Sequence, residues 1–112
     1  MQAFFFVLNR TEHLEHLLQE FAAQGIGCAT VLDSKGMAHS LDGFTELHFT
    51  LSLRMILNPE HKESKTVFMV LKDEEIPLVS EIVNKVVGGL GQPDTGIMFA
   101  MPVTYLEGFT LK

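Results

Sequence analysis

Four short apolar runs are spaced along the chain, and each predicts a buried β-strand. The runs are AFFFVL (3–8), GCATVL (27–32), KTVFMVL (65–71) and GIMFAMPV (96–103). Apolar runs of about four to eight residues bounded by turn signals are typical of strands inside a sheet. Pro102 places the last strand at a sheet edge or ends it there, because proline has no amide to donate to a ladder.

Two segments between these runs carry apolar residues at helical spacing, which predicts two amphipathic helices. The first stripe is Leu14, Leu17, Leu18, Phe21 and Ala22, and the second is Val79, Ile82, Val83, Val86 and Val87. Asn9 with Glu12 is a capping pattern at the start of the first helix, and Gly25 suits its end. Pro77 suits the first turn of the second helix, which Gly88 ends.

The long connection between the second and third strands fits no single pattern. Residues 33–43 are rich in turn formers. Residues 44–58 (FTELHFTLSLRMILN) alternate as in a strand, but their apolar residues also recur at helical spacing. We favour a short helix that ends at Asn58, before Pro59. Residues 60–65 predict a solvated connection.

The order strand, helix, strand, strand, helix, strand predicts a single α+β domain over residues 1–112 with the ferredoxin-like βαββαβ fold. Right-handed crossovers place both helices on one face of an antiparallel four-stranded sheet. A sheet covered on one face normally alternates apolar and polar residues, and these strands do not. The second face must therefore be covered as well. Either further copies of the chain pack against it in a closed ring, or residues 44–57 fold over it.

Composition and charge exclude several classes of function. The net charge is -6 at pH 7 and the pI is about 5.2. We expect no nucleic-acid partner, since phosphate backbones require a basic face. No apolar run approaches the roughly 20 residues of a membrane span, so we expect no membrane insertion. The single cysteine, Cys28, fits a reducing compartment, and the first residues lack a signal-peptide pattern, which favours a cytoplasmic protein.

A glycine-rich stretch, GGLGQPDTGIMFAMPV (88–103), leads from the second helix into the last strand. Its DTGIMFAMPV part, with the chain length, the strand order and the long connection, resembles the nitrogen-regulatory P-II superfamily over nearly the full length. The resemblance implies a ferredoxin-like homotrimer that binds ATP, ADP or another small anionic effector in clefts between subunits. It also implies a T-loop-like connection at about 34–64 that changes shape to control a partner protein, a transporter or an enzyme.

The resemblance places the effector against the base of the T-loop-like connection and against the glycine-rich loop. The implied ligand-binding residues are Lys35, Gly36, Met37, Gly89, Gly91, Asp94, Thr95 and Gly96. Ile97 stands where the family's phosphate loop, Gly-Asp-Gly-Lys, has its lysine, and residues 104–107 stand where classical members carry arginines. Tyr105 is the only tyrosine, so the nucleotidylated T-loop tyrosine has no counterpart. We expect a divergent member with a shortened, more structured T-loop.

Each candidate site also has a plainer interpretation. Residues 88–96 either hold an anion with backbone amides or simply stop a helix and turn the chain. Lys35 also fits a solvated turn. His13 and His16 lie about one turn apart on a helix, but a metal ion needs three or four convergent ligands. Cys28 lies in a predicted strand without a recognisable base, which favours packing over catalysis.

The leading hypothesis is a non-enzymatic, P-II-like signalling protein. One alternative is a structural or protein-interaction trimer without a ligand, which the missing cationic residues favour. Another is a metal-handling protein similar to the CutA trimers, in which His13 and His16 contribute to binding. An enzyme is not expected, because the spacing shows no activated nucleophile and no proton-transfer pair.

Overall fold

The computed structural model describes residues 1–37, 63–92 and 95–108. These residues form an α+β structure in which four strands make one antiparallel sheet and two helices pack against it. The strands are β1 (Gln2–Leu8), β2 (Thr30–Lys35), β3 (Glu63–Leu71) and β4 (Gly96–Pro102), and the helices are α1 (Leu14–Ala23) and α2 (Ile76–Val87). The predicted α+β class is confirmed, and the arrangement is compatible with a ferredoxin-like fold.

The sheet has the order β2-β3-β1-β4, and each neighbouring pair is antiparallel. In the middle of the sheet, Phe5 of β1 lies opposite Phe68 of β3 on one side and opposite Phe99 of β4 on the other. Thr30 of β2 lies opposite Phe68 from the far side. β2 and β4 are therefore the two edges of the described sheet.

One face of the sheet and the apolar stripes of both helices form a single core. Alternate residues of the central strands are buried there, namely Phe4, Phe6, Leu8, Val67, Met69 and Leu71. The helices contribute Leu17, Phe21, Val79, Ile82, Val83, Val86 and Val87. Burying one such side chain contributes about 1.5–3 kcal/mol, so the predicted stripes determine which side of each helix turns to the sheet.

The helix starts follow the sequence pattern only in part. A 3-10 turn at Thr11–His13 precedes α1, and neither this turn nor α1 has a side-chain cap. The prediction that Asn9 caps the helix is wrong. The Asn9 amide instead donates to the Thr95 carbonyl at 3.1 Å, which extends the contact between β1 and β4. Pro77 lies in the first turn of α2, as predicted.

Glycines end both helices, as predicted. Gly25 follows α1 and Gly88 follows α2, and each has φ 80°. This left-handed conformation costs other residues free energy but is open to glycine. The Gly25 amide donates to the Ala22 carbonyl at 3.0 Å, so the turn satisfies a helix-end carbonyl.

The second strand lies further along the chain than its apolar run. The run predicts residues 27–32, whereas β2 is Thr30–Lys35. Polar cross-strand pairs account for the difference, because the Asp33 carboxylate pairs with Lys65 and the Ser34 hydroxyl bonds to a hydroxyl of β3. β2 thus includes residues whose composition predicts a turn.

The connection between β2 and β3 comprises residues 36–62, since the strands reach Lys35 and Glu63. The short helix predicted within 44–58, and the possibility that 44–57 cover the sheet, lie outside the described residues, as does Asp94. Within the described ranges, neither helix has the length and apolar content needed to cross a bilayer.

Candidate functional site

The sheet face turned away from the helices, which we call the open face, carries no charged side chain in the described strands. Side chains alternate between the two faces of a strand, so the residues between the buried positions of β1 and β3 belong to the open face. Its residues are Ala3, Phe5, Val7, Thr30, Leu32, Ser34, Ser64, Thr66, Phe68, Val70, Ile97, Phe99 and Met101. The prediction that both faces of the sheet are largely apolar is confirmed.

Three phenylalanines form a row across the open face. The ring of Phe5 stacks on Phe68 with centroids 6.0 Å apart, and on Phe99 with centroids 5.2 Å apart. The interplanar angles are 24° and 13°. Stacked pairs of this kind contribute about 0.5–1.5 kcal/mol beyond the area that they bury. Because Phe5 is the midpoint of β1, the row crosses the centre of the face.

The most exposed apolar side chains of the open face lie on its two edge strands. Between 45% and 61% of the surface is exposed in Leu32 of β2 and in Ile97, Phe99 and Met101 of β4. Phe5 and Phe68, on the central strands, are half-buried. Large apolar side chains clustered in this way are typical of contact surfaces, whereas an ordinary surface exposes them singly.

Hydroxyl groups fill the corner of the open face where β2 and β3 meet. Ser34 Oγ lies 2.6 Å from Ser64 Oγ, and Thr66 Oγ1 donates to Ser34 Oγ at 2.9 Å. Ser64 is buried, and this bond satisfies its hydroxyl without introducing a charge. The corner is therefore polar, while the open face stays uncharged.

Asn84 holds the glycine-rich loop that follows α2. The amides of Gly88 and Gly89 both donate to the Asn84 carbonyl. The Leu90 amide donates to Asn84 Oδ1 at 3.1 Å, and the Gln92 amide donates to the Gly89 carbonyl at 3.5 Å. All four of these amides have partners within the chain, whereas an anion-binding nest needs amides that point at the ligand. This part of the loop has the structure of a helix stop and a turn.

The end of the loop is packed tightly against β1. The Thr95 hydroxyl is buried and donates to the Gln92 carbonyl at 2.8 Å. Gly96 has φ 151°, and a Cβ atom there would overlap the Val7 carbonyl and lie 2.8 Å from Phe6 Cε1. The contact with β1 therefore requires glycine at position 96, independently of any ligand.

The two segments predicted to bind an effector lie at the same end of the sheet but on opposite edges. Lys35 ends β2 and Gly96 begins β4. Because two strands lie between them, about three strand spacings, or roughly 14 Å, separate the edges. Gly36, Met37 and Gly91 are exposed. A single chain does not bring these residues around one small ligand, and their role in binding stays a prediction.

The two histidines considered as metal ligands lie at the start of the first helix. His13 belongs to the 3-10 turn, and His16 Nε2 lies 3.5 Å from Glu20 Oε1. Lys85 Nζ approaches the same carboxylate at 3.9 Å. Within residues 1–37, 63–92 and 95–108, no group of three or more histidine, cysteine or acidic side chains is placed to hold a metal ion. The described residues thus lend no support to a metal-handling function.

Cys28 is an exposed thiol that precedes β2. Its Sγ donates to the Val70 carbonyl at 3.6 Å. Partial burial raises the pKa of this thiol, and the Glu75 carboxylate adds to the rise, although a backbone hydrogen bond acts in the opposite direction. A raised pKa keeps the thiol protonated, which disfavours a nucleophilic role.

Sequence reasoning missed two features of this region. The sequence of the glycine-rich loop does not show that its amides bond to Asn84. The one sequence signal for this contact is an amide side chain in the last turn of a helix that ends in two glycines. The row of Phe5, Phe68 and Phe99 depends on the register between strands, which the hydrophobic pattern alone does not specify for two-sided apolar strands. The one sequence signal for this aromatic row is a phenylalanine near the middle of each of three apolar runs.

Comparison of the sequence with models of known protein families finds no match, and comparison with curated proteins finds no matching relative. The P-II-like resemblance therefore stays a prediction, supported by the residues and spacing of this chain.

Proposed function

We propose that the chain is a cytoplasmic, P-II-like signalling module that works as a homotrimer of ferredoxin-like βαββαβ subunits. It binds a small anionic effector, such as ATP or ADP, in clefts between subunits, and it controls a partner protein rather than catalysing a reaction. The observation that carries the proposal is the open face, which is uncharged, largely apolar and crossed by a row of stacked phenylalanines.

An uncharged face favours further copies of the same chain as its cover. The chain carries a net charge of -6, so two copies repel each other overall. The open face brings no charge to the contact, and burying its apolar side chains stabilises the assembly. Nucleic acid is a poor alternative, because stacked bases need a cationic groove for their backbone and the described strands offer none on this face.

The arrangement of the two edges supports a cleft between copies. Lys35 and Gly96 share one end of the sheet but lie roughly 14 Å apart within a chain. A cyclic assembly that brings the β2 edge of one copy near the β4 edge of the next would complete a site from both segments. An effector acts as a signal there only if it binds one conformation of the 36–62 connection more tightly than another.

Thermal unfolding with a panel of nucleotides, cyclic dinucleotides, bicarbonate and amino acids tests the proposed effector. A true effector at about 100 times its Kd stabilises the protein by roughly 2.7 kcal/mol, which raises Tm by several degrees. Lys35→Gln should weaken this shift, and Lys85→Gln, on the helical side, should leave it unchanged. No shift with any compound, or equal loss in both variants, contradicts the proposed effector site.

A ligand-free interaction trimer is the second candidate, and the glycine-rich loop favours it. The amides of Gly88, Gly89, Leu90 and Gln92 already donate within the chain. Ile97 also replaces the lysine that the resemblance leads one to expect. This candidate predicts a stable trimer whose Tm does not respond to the panel and whose capture of a partner protein does not depend on any of these compounds.

A further inference from the structure

We propose that four charged residues fix the register of β2 against β3, and with it the point at which the 36–62 connection leaves the sheet. These residues, which we call the charge lock, are Asp33 and Lys35 of β2 and Glu63 and Lys65 of β3. Releasing the charge lock lets β2 shift along β3 by two residues while it stays in the sheet. The proposal concerns a single chain, so it depends neither on the proposed trimer nor on an effector.

Each residue of the charge lock lies opposite a residue of the other sign. Asp33 lies opposite Lys65, and their side chains form an ion pair. Lys35 lies opposite Glu63, two residues nearer to the connection. Opposite charges directly across an antiparallel ladder stabilise the pairing, and like charges destabilise it. The observed register thus contains two favourable charge pairs.

The packing of β2 does not by itself select this register. None of its side chains is buried, since those of Val31 and Ser34 are half-buried and the others are exposed. A shift by one residue would turn every side chain of β2 to the other face, whereas a shift by two residues keeps each on its own face. β2 is also an edge of the described sheet, so no strand of that sheet holds it from the outer side.

One register shifted by two residues suits the open face as well as the observed register does. It brings Leu32 opposite Phe68, whereas Leu32 lies opposite Thr66 in the observed register. Leu32 thereby gains an apolar partner. Ser34 comes to lie opposite Thr66, so it keeps a hydroxyl group as its partner. The uncharged side chains of the open face therefore offer no resistance to this shift.

The charges oppose a shift in either direction. The shift that suits the open face brings Lys35 opposite Lys65. The shift in the other direction brings Asp33 opposite Glu63. Each shift therefore replaces two pairs of opposite charges by a pair of like charges, which destabilises the ladder. This alternation of signs, acidic then basic on both strands, is what makes the four residues a lock rather than two independent ion pairs.

The charge lock lies at the neck of the 36–62 connection, because Lys35 ends β2 and Glu63 begins β3. A shift by two residues moves one end of the connection along the other by roughly 7 Å. The connection can thus change its path without unfolding of the sheet. Salt screens charges that are exposed to solvent, and the Asp33 side chain is 88% exposed. High ionic strength consequently weakens the charge lock.

Exchanging the charges within a pair tests the charge lock without altering composition or net charge. Exchange within one pair, Lys35→Glu with Glu63→Lys, keeps both favourable pairs of the observed register. It also replaces the like charges of each shifted register by opposite charges. Exchange within both pairs, which adds Asp33→Lys and Lys65→Asp, restores like charges in both shifted registers. The second variant is therefore the matched control for the first.

A disulfide probe reports the shifted register. Thr30→Cys with Val70→Cys, in a Cys28→Ser background, places two thiols directly opposite each other in the shift that suits the open face. In the observed register these positions are diagonal neighbours, with Cα atoms about 7–8 Å apart, at or beyond the limit for a disulfide. During mild oxidation, exchange within one pair should speed formation of the intrachain disulfide roughly fivefold. Exchange within both pairs should return the rate to that of the unexchanged charges.

Leu32→Cys with Thr66→Cys provides the reference rate, because these residues are directly opposed in the observed register. Equal relative rates in all three charge patterns overturn the charge lock. A rise that exchange within both pairs does not reverse also overturns it, because the cause would then be a general loss of pairing.

Salt gives a second test that needs no charge variant and therefore does not depend on how the exchanged proteins fold. Raising the salt concentration from about 0.1 M to about 1 M shortens the screening length from roughly 10 Å to roughly 3 Å. With the unexchanged charges, the rate of the Thr30→Cys, Val70→Cys probe should rise relative to the reference rate. A ratio that salt leaves unchanged overturns the charge lock. Neither test measures the mass of the assembly, so the proposed trimer is tested separately.

Discussion

Phe5 and Phe99 stack across neighbouring strands, with ring centroids 5.2 Å apart and planes inclined by 13°. Phe5 is half-buried at the midpoint of a central strand, and Phe99 stands at the edge of the sheet. Their contact holds both rings in place on a face that carries no charge. Aromatic side chains that are already held in place lose little side-chain entropy on association, which agrees with the proposal that the open face contacts a second copy.

Polar substitutions on the exposed part of the open face should weaken the assembly while the chain stays folded. Phe99→Ser and Leu32→Ser each remove an exposed apolar group from the open face. The few residues that dominate a binding interface, which are often aromatic, cost about 2 kcal/mol or more when they are truncated. The concentration for half-dissociation should rise at least about tenfold, measured by sedimentation velocity. Tyr105→Ser removes an exposed ring that lies beyond β4 and is the control. Unchanged dissociation in both open-face variants would contradict the assigned contact.

Gly96→Ala should destabilise the fold by about 2–4 kcal/mol, from overlap with the Val7 carbonyl and the Phe6 ring together with an unfavourable φ. Urea unfolding at one fixed protein concentration measures the loss. Gly91→Ala is the matched control, since no atom of the described residues lies within 4 Å of its added Cβ, and its change should stay below about 1 kcal/mol. Equal effects at the two glycines would mean that β4 does not approach β1 as described.

Asn84→Ala should loosen the glycine-rich loop. The variant removes the acceptor of the Leu90 amide and the donor to the Ser80 carbonyl, and each such bond contributes about 0.5–1.5 kcal/mol. We expect a loss of about 1–2 kcal/mol and faster amide exchange at Leu90, measured by NMR. Gln92→Ala is the control, because Gln92 joins these bonds through its backbone. If the Leu90 amide exchanges at the same rate in Asn84→Ala, Asn84 does not hold the loop as described.

Tyr105 offers a direct titration, since it is the only tyrosine. Its hydroxyl donates to Glu107 Oε2 at 2.5 Å, and this hydrogen bond to a carboxylate, with a smaller effect of desolvation, raises the pKa of Tyr105 above its usual value near 10. The bond therefore stabilises the folded chain fully below about pH 10, and this stabilisation is lost as pH rises through the folded pKa.

Absorbance near 295 nm during a pH titration should show a midpoint above that of free tyrosine. Glu107→Gln should lower this midpoint, because the charged acceptor is gone, while Glu74→Gln should leave it in place. A midpoint that Glu107→Gln does not lower would show that the hydroxyl has another partner.

The elements of the core were predictable because their signal is strong and local. The stripe that contains Leu17 and Phe21 predicts α1, and the run around Phe4 and Phe6 predicts β1, since these side chains pack against one another. β2 was displaced in the prediction because its last residues, Asp33 among them, are kept in the strand by partners on β3. A cross-strand ion pair joins residues far apart in the chain, and no local pattern reveals it.

The candidate site was less predictable than the fold. The glycines at 88 and 89 correctly indicated a turn, but the hydrogen bonds to Asn84 show how the turn is held. The doubly apolar strands correctly indicated that the second face of the sheet is largely apolar, and its role as a contact face stays a prediction. The position of Phe5 between two other rings depends on the strand register, which only the folded sheet supplies.

Sedimentation equilibrium of the unmodified chain at micromolar concentration tests the central claim most directly. The chain has a mass of 12.5 kDa, and the proposed ring has about three times that mass. A single species at the trimer mass, which Phe99→Ser makes dissociate at a higher protein concentration, is the predicted result. A homogeneous, folded 12.5 kDa monomer would contradict it, because no second copy would then cover the open face and no cleft between subunits would exist.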